Sequence, residues 1–403
     1  MKKIILITMS LMVQQLSAQT ITNYTTADGL LSDFVECVAV DINNNIWFGT
    51  SVGAQMFDGA NWTTYTTTSG LVNDNVKTLT TISNGNLWVG TDFGASQFDG
   101  VNWVTYDNTT GLNSNQVKSI DEDANGGIWV GTNQGVSYFD GSNWTSYSSP
   151  DLHWSGVNAI AFDSNGDKWF ASPLGGITHF DGTTFTTYDT ANGLLSLYVT
   201  ALLIDNQDNK WVGTSSGMSV LDASNITFSH HTQMYLLPPP DTLNPVVDIE
   251  MDSYGRIWAA IYVGYLAEGG VAYLSGSQWE DFDVSDGLAG PNIKGLTIDS
   301  QDNVWVATST GVSKISAIPS AVITAEISAF NLFPNPSNDM LYLTNENQGI
   351  QQINMYNNLG ALVYENDNNQ LNYSIDVSSF AKGLYYVKVQ LPDAIISKKI
   401  VVE

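Results

Sequence analysis

Between Asn115 and Tyr147 the chain reads NQVKSIDEDANGGIWVGTNQGVSYFDGSNWTSY. The segments VKSID, GIWVGT, GVSYFD and NWTSY are short, rich in β-branched and aromatic residues, and separated by Gly, Asn and Asp. We therefore expect four strands joined by three turns. The Asp-Gly pair in FDG is a hairpin signal, because glycine accepts the positive φ that a tight turn requires. This stretch predicts one antiparallel sheet of four strands.

The same unit recurs along the chain. Its copies carry a tryptophan in a constant setting, at Trp47, Trp88, Trp129, Trp169, Trp211, Trp258 and Trp305. The spacings between successive tryptophans are 41, 41, 40, 42, 47 and 47 residues. A period of about 42 residues fits a four-stranded propeller blade. The repeat predicts an all-β chain whose main domain is a seven-bladed β-propeller.

The two ends of the repeat complement each other. The last copy stops at its third segment, GVSKIS (311–316), whereas residues 20–30, TITNYTTADGL, match the fourth segment and following loop of other copies, as in WTTYTTTSGL (62–71). We therefore expect the N-terminal strand to complete the seventh blade. Such pairing closes the ring and removes an open sheet edge.

Residues 1–18 have the order of a secretory signal peptide. Lys2 and Lys3 precede an apolar run from Ile4 to Val13, and Ser17-Ala18 supplies small residues for cleavage. The apolar run is too short to cross a hydrocarbon layer of roughly 30 Å as a helix. We expect no transmembrane anchor in the mature chain, since no later run reaches the required length; an N-terminal anchor helix is the alternative.

The composition narrows the classes of molecule that we expect the chain to bind. The 403 residues include 13 Lys+Arg and 40 Asp+Glu, for a formal net charge of −27. Because nucleic acids require a basic patch, we expect no nucleic-acid binding. Cys37 is the single cysteine, so an intrachain disulfide is excluded, and the thiol is expected to act as a small buried hydrophobe.

The chain divides into four predicted parts. They are a signal peptide at 1–18, the propeller at 19–315, a linker at 316–328 and a C-terminal domain at 329–403. The last part contains short alternating segments such as INMYNNLGALVYE (353–365), separated by turn residues. This pattern favours a small β-sandwich.

The repeats resemble the two-component-regulator propeller repeats of periplasmic sensors in hybrid histidine kinases. The matching features are the GL…V loop, the D…W-[VF]-G-T segment and the G-V-S-x-F-D-G-x-x-W segment. Those sensors usually carry about twice as many repeats, then a further β-domain, a transmembrane helix and a kinase. Since neither a transmembrane helix nor a kinase follows the repeats here, we expect no kinase in the same chain.

The C-terminal domain resembles the sorting domain of proteins exported by the type IX secretion system of Bacteroidetes-type bacteria. The residues that carry this resemblance include Pro334, Asn335, Pro336, Gly383, Tyr385, Lys398 and Lys399. The resemblance implies that the secretion machinery is a partner and that the chain crosses both membranes, to be released or held at the cell surface. An ordinary accessory β-domain is the alternative.

No motif for catalysis is present. The sequence lacks HExxH, P-loop and paired-cysteine patterns, so we predict no catalytic residues and no metal site. His179 is expected to be a packed or edge residue. Acidic turns such as DEDANGG (121–127) and DSNGD (163–167) lie at a constant distance before the repeating tryptophan, which indicates structural turns. We expect no cofactor; Ca²⁺ bound by such turns is the alternative.

Candidate ligand-binding residues lie in loops at one mouth of the ring. They come from the loops that join the fourth strand to the next first strand and the second strand to the third, and from three insertions that break the repeat (148–157, 229–246 and 259–271). The candidates are Asp33, Phe34, Asp92, Phe93, His153, Trp154, Tyr235, Tyr262, Tyr265 and Glu268. Decay of the repeat without function is the alternative explanation of the insertions.

These features predict an exported, non-catalytic propeller that binds a glycan, a peptide or a surface partner through one mouth. Two alternatives stay open. An extracellular lyase or glycan hydrolase would need two carboxylates or a His/Tyr pair at the mouth. A sensor-like module would act with a separate signalling protein.

Overall fold

The structure is a computed structural model that describes residues 20–152, 156–235, 244–263, 268–316, 331–344, 350, 352–357, 361–367, 370–390 and 395–402. These residues form strands and two short 3-10 turns. The predicted signal peptide (1–18) and linker (316–328) lie outside the described residues, apart from Ser316. Internal contacts divide the chain into two compact units, Met1–Ser320 and Ala321–Glu403.

The first unit begins with β1 (Thr20–Tyr24), followed by sheets of four consecutive antiparallel strands. Sheet I contains β2 (Val35–Val40), β3 (Ile46–Thr50), β4 (Gly53–Phe57) and β5 (Trp62–Tyr65). Sheet II contains β6 (Val76–Thr81), β7 (Leu87–Thr91), β8 (Gly94–Phe98) and β9 (Trp103–Tyr106). Sheet III contains β10 (Val117–Glu122), β11 (Ile128–Thr132), β12 (Gly135–Phe139) and β13 (Trp144–Tyr147).

Three further sheets repeat this order. Sheet IV contains β14 (Ala159–Phe162), β15 (Lys168–Ser172), β16 (Gly176–Phe180) and β17 (Phe185–Tyr188). Sheet V contains β18 (Val199–Ile204), β19 (Lys210–Thr214), β20 (Gly217–Leu221) and β21 (Phe228–His231). Sheet VI contains β22 (Val246–Met251), β23 (Ile257–Val263), β24 (Glu268–Ser275) and β25 (Gln278–Phe282).

Sheet VII combines the two ends of the repeat. It contains β26 (Ile293–Ile298), β27 (Val304–Thr308) and β28 (Gly311–Ser316), and β1 is its fourth strand. β1 pairs antiparallel with β28, with Thr20 opposite Ser316 and Tyr24 opposite Val312. The first strand of each sheet contacts the first strand of the next, and β26 also contacts β2 of sheet I.

Burial explains the strand composition. All five residues of β11 are buried, and so are all five of β3, since neighbouring sheets cover both faces of these strands. The outer strand sends its two aromatic residues in opposite directions, as expected for side chains three positions apart. Trp62 of β5 contacts Tyr24 of sheet VII at 6.0 Å between ring centroids, whereas Tyr65 contacts Trp103 of sheet II at 5.8 Å.

One hydrogen bond holds the turn between the first and second strands. In sheet III the indole Nε1 of Trp129 donates to Asp123 Oδ2 at 2.9 Å. The equivalent pairs are Asp41–Trp47, Asp163–Trp169, Asp205–Trp211, Asp252–Trp258 and Asp299–Trp305, at 2.8–3.1 Å. The acidic turns therefore have the structural role that their spacing predicts.

The second unit consists of two sheets. The three-stranded sheet contains β29 (Asn331–Phe333), β30 (Met340–Thr344) and β33 (Asn372–Asp376). The four-stranded sheet contains β31 (Gln352–Asn357), β32 (Leu362–Asn366), β34 (Gly383–Gln390) and β35 (Ile395–Val402). Both sheets contribute to one buried cluster, for example Leu341 and Ile375 from the first and Met355, Val387 and Ile400 from the second.

Candidate ligand-binding site

The antiparallel order brings two kinds of loop to the same end of every sheet. The second-to-third turns and the fourth-to-first loops both follow strands that run toward this end. We call this end the upper face. In the described part of the chain it comprises residues 25–34, 51–52, 66–75, 92–93, 107–116, 133–134, 148–152, 156–158, 173–175, 189–198, 215–216, 232–235, 244–245, 283–292 and 309–310.

Asp33 stabilises its own loop. Its Oδ1 accepts a hydrogen bond from the Thr26 backbone N–H at 2.6 Å, and Asp74 accepts the same bond from Thr67 at 2.6 Å in the next loop. Because the bond recurs with the repeat, these carboxylates fix the loop conformation. The prediction that Asp33 contacts a ligand stays a prediction.

Two candidates from distant parts of the chain converge on one lysine. Lys294 Nζ lies 4.9 Å from the ring centroid of Phe34 and 5.6 Å from that of Tyr262. The lysine is on β26, Phe34 precedes β2, and Tyr262 is near the end of β23, so three sheets meet here. Phe34 remains 38% exposed. A cation over an exposed ring forms a defined polar and aromatic contact point.

Asp92 and Phe93 form the turn after β7. Asp92 Oδ2 accepts a hydrogen bond from Asn75 Nδ2 at 3.1 Å, and its Oδ1 lies 4.0 Å from Lys118 Nζ. Phe93 is 60% exposed. The acid is thus held by neighbours, whereas the adjacent ring projects from the upper face.

A group of charged residues at the second position of the first strands was missed by the sequence analysis. We call Glu36, Lys77, Lys118 and Lys294 the charged rim. Lys77 Nζ lies 3.5 Å from Glu36 Oε1, and the other two lysines contact Asp92 and Phe34 as described above. The repeated pairs Val76-Lys77, Val117-Lys118 and Ile293-Lys294 are the signal that could have revealed this rim.

Three acidic side chains on first strands have raised pKa values. Burial, with a smaller contribution from Glu122, raises the pKa of Asp121 to about 7. Burial also raises the pKa of Glu250, and the charges of Asp248 and Asp121 add to this effect. Burial raises the pKa of Asp248, although its carboxylate accepts hydrogen bonds from the N–H groups of Leu296 and Ile249, both at 2.9 Å. Sheets III and VI thus place interacting carboxyl groups close together.

The side chain of Tyr235 is buried rather than exposed to solvent. It is 9% exposed and belongs to the hydrophobic cluster between sheets V and VI. Its hydroxyl donates to Asp283 Oδ2 at 3.3 Å, and its backbone N–H donates to Asn244 Oδ1 at 2.6 Å. This burial argues against an exposed ligand contact by its ring.

The remaining candidates from the insertions lie wholly or partly outside the described residues. His153, Trp154 and Tyr265 lie outside the described residues. Glu268 begins β24 and pairs with Val263, but its side chain is outside the described part of the chain.

The sorting-motif residues lie on or beside the last strands of the second unit. Asn335, between Pro334 and Pro336, donates from Nδ2 to the Lys399 carbonyl at 3.1 Å and accepts at Oδ1 from the Val401 N–H at 2.9 Å. These two hydrogen bonds connect the proline-flanked segment to β35, the strand that also contains Lys398. On β34, Gly383 has φ +149°. The hydroxyl of buried Tyr385 donates to the Ala381 carbonyl at 2.8 Å.

Two segments match known families. Residues 111–134 match the family described as two component regulator propeller, and residues 331–403 match the secretion system C-terminal sorting domain. No curated protein matches the chain. In the described residues, no helix has the length and apolar character needed to cross a membrane.

Solved structures have similar folds at low sequence identity. PorZ, an essential surface component of the type IX secretion system of Porphyromonas gingivalis, is 17% identical with a TM-score of 0.59 over 93% of this chain and 60% of that chain. The extracellular domain of the hybrid two-component system BT3049 from B. thetaiotaomicron is 19% identical with a TM-score of 0.63, over 95% and 57%. Virginiamycin B lyase from Staphylococcus aureus is 15% identical with a TM-score of 0.59, over 74% and 99%.

The chain spans about three fifths of the length of the first two structures. At these identities the likeness concerns the fold alone. The family matches, the repeated four-stranded sheets and the C-terminal unit agree with one another. The protein is therefore an all-β chain that carries two-component-regulator propeller repeats and a type IX secretion C-terminal sorting domain, and it is exported to the cell surface or secreted.

Proposed function

We propose that this exported chain is a seven-bladed propeller, closed by β1, that binds a peptide or protein surface through its upper face. Two observations support the proposal that the ring is closed. β1 pairs with β28, and β26 contacts β2. The proposal is also supported by the effect of Asp121 in sheet III on the pKa of Glu250 in sheet VI, since sheets III and VI are not neighbours along the chain.

The observation that carries the binding function is a set of exposed apolar side chains on the upper face. Its members are Phe34, Val52, Phe93, Leu174, Leu197 and Tyr198, which are 37–60% exposed. Exposed apolar groups bordered by polar residues are typical of interaction sites. Aromatic anchors dominate the energy of protein interfaces, and three of these six residues are aromatic.

The charged rim gives this face a mixed character. Lys77 lies beside Glu36 and Lys118 beside Asp92, whereas Lys294 lies over the ring of Phe34, so both signs of charge border the aromatic residues. Interfaces commonly combine an apolar centre with a polar border that fixes orientation. A partner with apolar side chains and a few charges fits this face better than a partner that is only polar.

Binding can be tested on peptide and glycan arrays with the purified full chain. We expect selective binding to peptides, and we expect Phe34→Ala, Phe93→Ala and Tyr198→Ala each to weaken it by about tenfold or more, as for interface anchors. Val101→Ala and Ile226→Ala are matched controls, because both residues are 78–82% exposed in third-to-fourth turns at the opposite end of the sheets. An equal loss of peptide binding in the upper-face variants and in the control variants would contradict the proposal. Binding only to glycans would also contradict it.

A further inference from the structure

The turn between β14 and β15 in sheet IV differs at its last residue from the turns of sheets I, V and VII. Asp163 keeps the usual bonds: Oδ1 accepts from the N–H groups of Asn165 and Asp167, both at 3.0 Å, and Oδ2 accepts from Trp169 Nε1 at 3.1 Å. In sheets I, V and VII an asparagine ends the turn, and its Nδ2 donates to the same Oδ2. These residues are Asn45, Asn209 and Asn303, at 2.8–2.9 Å.

Sheet IV has Asp167 in place of that asparagine. An ionised carboxylate accepts hydrogen bonds but cannot donate one. Within the described part of the chain, Asp163 Oδ2 therefore receives a bond only from Trp169, and a second carboxylate lies beside it. The substitution leaves acceptor capacity where the turns of sheets I, V and VII have a donor.

A histidine faces this carboxylate pair. His179 on β16 is directly opposite Trp169 in the strand register, and its Nε2 lies 2.9 Å from Asp167 Oδ2. One ligand atom from each of Asp163, Asp167 and His179 lies within 4.8 Å of the other two. The residues at the position of His179 in the other sheets are Met56, Gln97, Tyr138, Val220, Tyr273 and Lys314.

We propose that Asp163, Asp167 and His179 form a binding site for a divalent transition-metal ion, with Zn²⁺ as the best-suited ion. Imidazole nitrogen combined with carboxylate oxygen suits Zn²⁺ and related ions, whereas Ca²⁺ takes six to eight oxygen ligands. Ligand bonds of about 2.0–2.2 Å place tetrahedral ligand atoms about 3.4 Å apart, so the three atoms, which lie within 4.8 Å of one another, must rearrange slightly. Side-chain rotation of Asp167 can supply this movement.

Access and rigidity support the site. The side chains of Asp167 and His179 are 23% and 15% exposed, so an ion can enter from solvent and water can complete its coordination. Asp163 is buried and held by three hydrogen bonds, and the His179 ring packs on Trp169 at 4.5 Å between centroids. Two ligands are thus held in place before an ion arrives, which lowers the ordering cost of binding.

The test is calorimetric titration of the full chain, produced without a polyhistidine tag and freed of metals by chelation. Zn²⁺, Mn²⁺ and Ca²⁺ salts are the probes. We expect one Zn²⁺ per chain, and we expect Asp167→Asn and His179→Gln each to weaken this binding by about tenfold or more. Asp167→Asn restores the residue that ends the turn in sheets I, V and VII, so this variant is expected to fold, as circular dichroism can verify.

Asn209→Asp is the matched control. It creates the same carboxylate pair in sheet V, where Val220 stands opposite the tryptophan instead of histidine. We expect this variant to bind one Zn²⁺, as the unchanged chain does. The proposal is overturned if the unchanged chain binds no Zn²⁺, or if Asp167→Asn and His179→Gln bind it as tightly as the unchanged chain. A second ion in Asn209→Asp would also overturn it, because the histidine would then be unnecessary.

Discussion

At the scale of single residues, the indole-to-aspartate hydrogen bond is present in six sheets and absent from one. Ile82 replaces the aspartate in sheet II, and the buried Nε1 of Trp88 has no hydrogen-bond partner among the described residues. The exception is visible in the sequence, since Ile82 lies six residues before Trp88, as Asp123 lies six before Trp129. The spacing therefore predicts both the rule and its exception.

The difference between these two tryptophans can be measured. Trp129→Phe leaves Asp123 Oδ2 without its indole donor, whereas Trp88→Phe removes an N–H that has no acceptor. An unpaired buried polar group costs about 1–3 kcal/mol, so we expect Trp129→Phe to lower the free energy of unfolding by that much more than Trp88→Phe. Urea unfolding followed by circular dichroism would measure both. Equal losses would show that the hydrogen bond contributes nothing.

At the scale of strands, sequence periodicity predicts the elements well but not the direction of every side chain. The strands expected in residues 115–147 agree with β10–β13 to within a residue or two. However, the pairing of β2 with β3 shifts register between Val35 and Cys37, and β22 shifts between Val246 and Asp248. Such a bulge reverses which face later residues occupy. Alternation after the bulge puts Asp248 and Glu250 on one face of β22, but it could not identify Asp121 of sheet III as a residue that interacts with Glu250.

The placement of insertion residues was equally hard to predict. Tyr235 is buried because Asn244 accepts hydrogen bonds from the N–H groups of Met234 and Tyr235, both at 2.6 Å. This contact joins residues about ten positions apart within an insertion that breaks the sequence repeat, and no periodic pattern encodes it. By contrast Phe34 lies in a regular loop between β1 and β2, whose end of the sheet follows from the repeat; its contact with a ligand stays a prediction.

Strand β1 contributes stability through Tyr24. Its ring stacks on Trp305 at 5.5 Å and contacts Phe57 at 5.4 Å between centroids. Truncating a well-packed aromatic costs about 3–5 kcal/mol, so we expect Tyr24→Ala to lower the thermal midpoint clearly. Thr22→Ala, an exposed position of the same strand, is the control and should change it little. If a chain starting at Gly29 were as heat-resistant as one starting at Thr20, β1 would be dispensable.

At the scale of the whole molecule, the carboxyl groups of sheets III and VI couple stability to pH. Their raised pKa values mean that the folded chain holds protons that the unfolded chain releases. Stability is therefore expected to fall as pH rises from about 4, where unfolded carboxyls ionise, to about 7, the pKa of Asp121. Exposed carboxylates with lowered pKa values, such as Asp222 with a pKa of about 2, change the stability of the fold only at pH values below this range.

Glu250→Gln tests this coupling. The amide carries no charge, so we expect the variant to lose less stability than the unchanged chain as pH rises through this range. Thermal midpoints at pH 5, 6, 7 and 8 would measure the difference. Parallel pH profiles for the two chains would contradict the electrostatic interaction of Glu250 with Asp248 and Asp121.

We expect export to depend on the second unit. We expect a chain lacking residues 331–403 to fold its repeated sheets yet accumulate in the periplasm, because the sorting domain is the part that matches a secretion signal. Fractionation of cells and medium, followed by mass spectrometry, would measure this. Equal amounts of truncated and full chains outside the cell would show that another segment directs export.

The pairing of Thr20 with Ser316 also affects the order in which the sheets can form during folding. The first strand to emerge from the ribosome or from a translocation pore has to wait for nearly three hundred residues before its partner arrives. Contacts this far apart in sequence form slowly, and the unpaired edge of β28 stays open until they do. We therefore expect sheet VII to be the last of the sheets that a newly made chain completes.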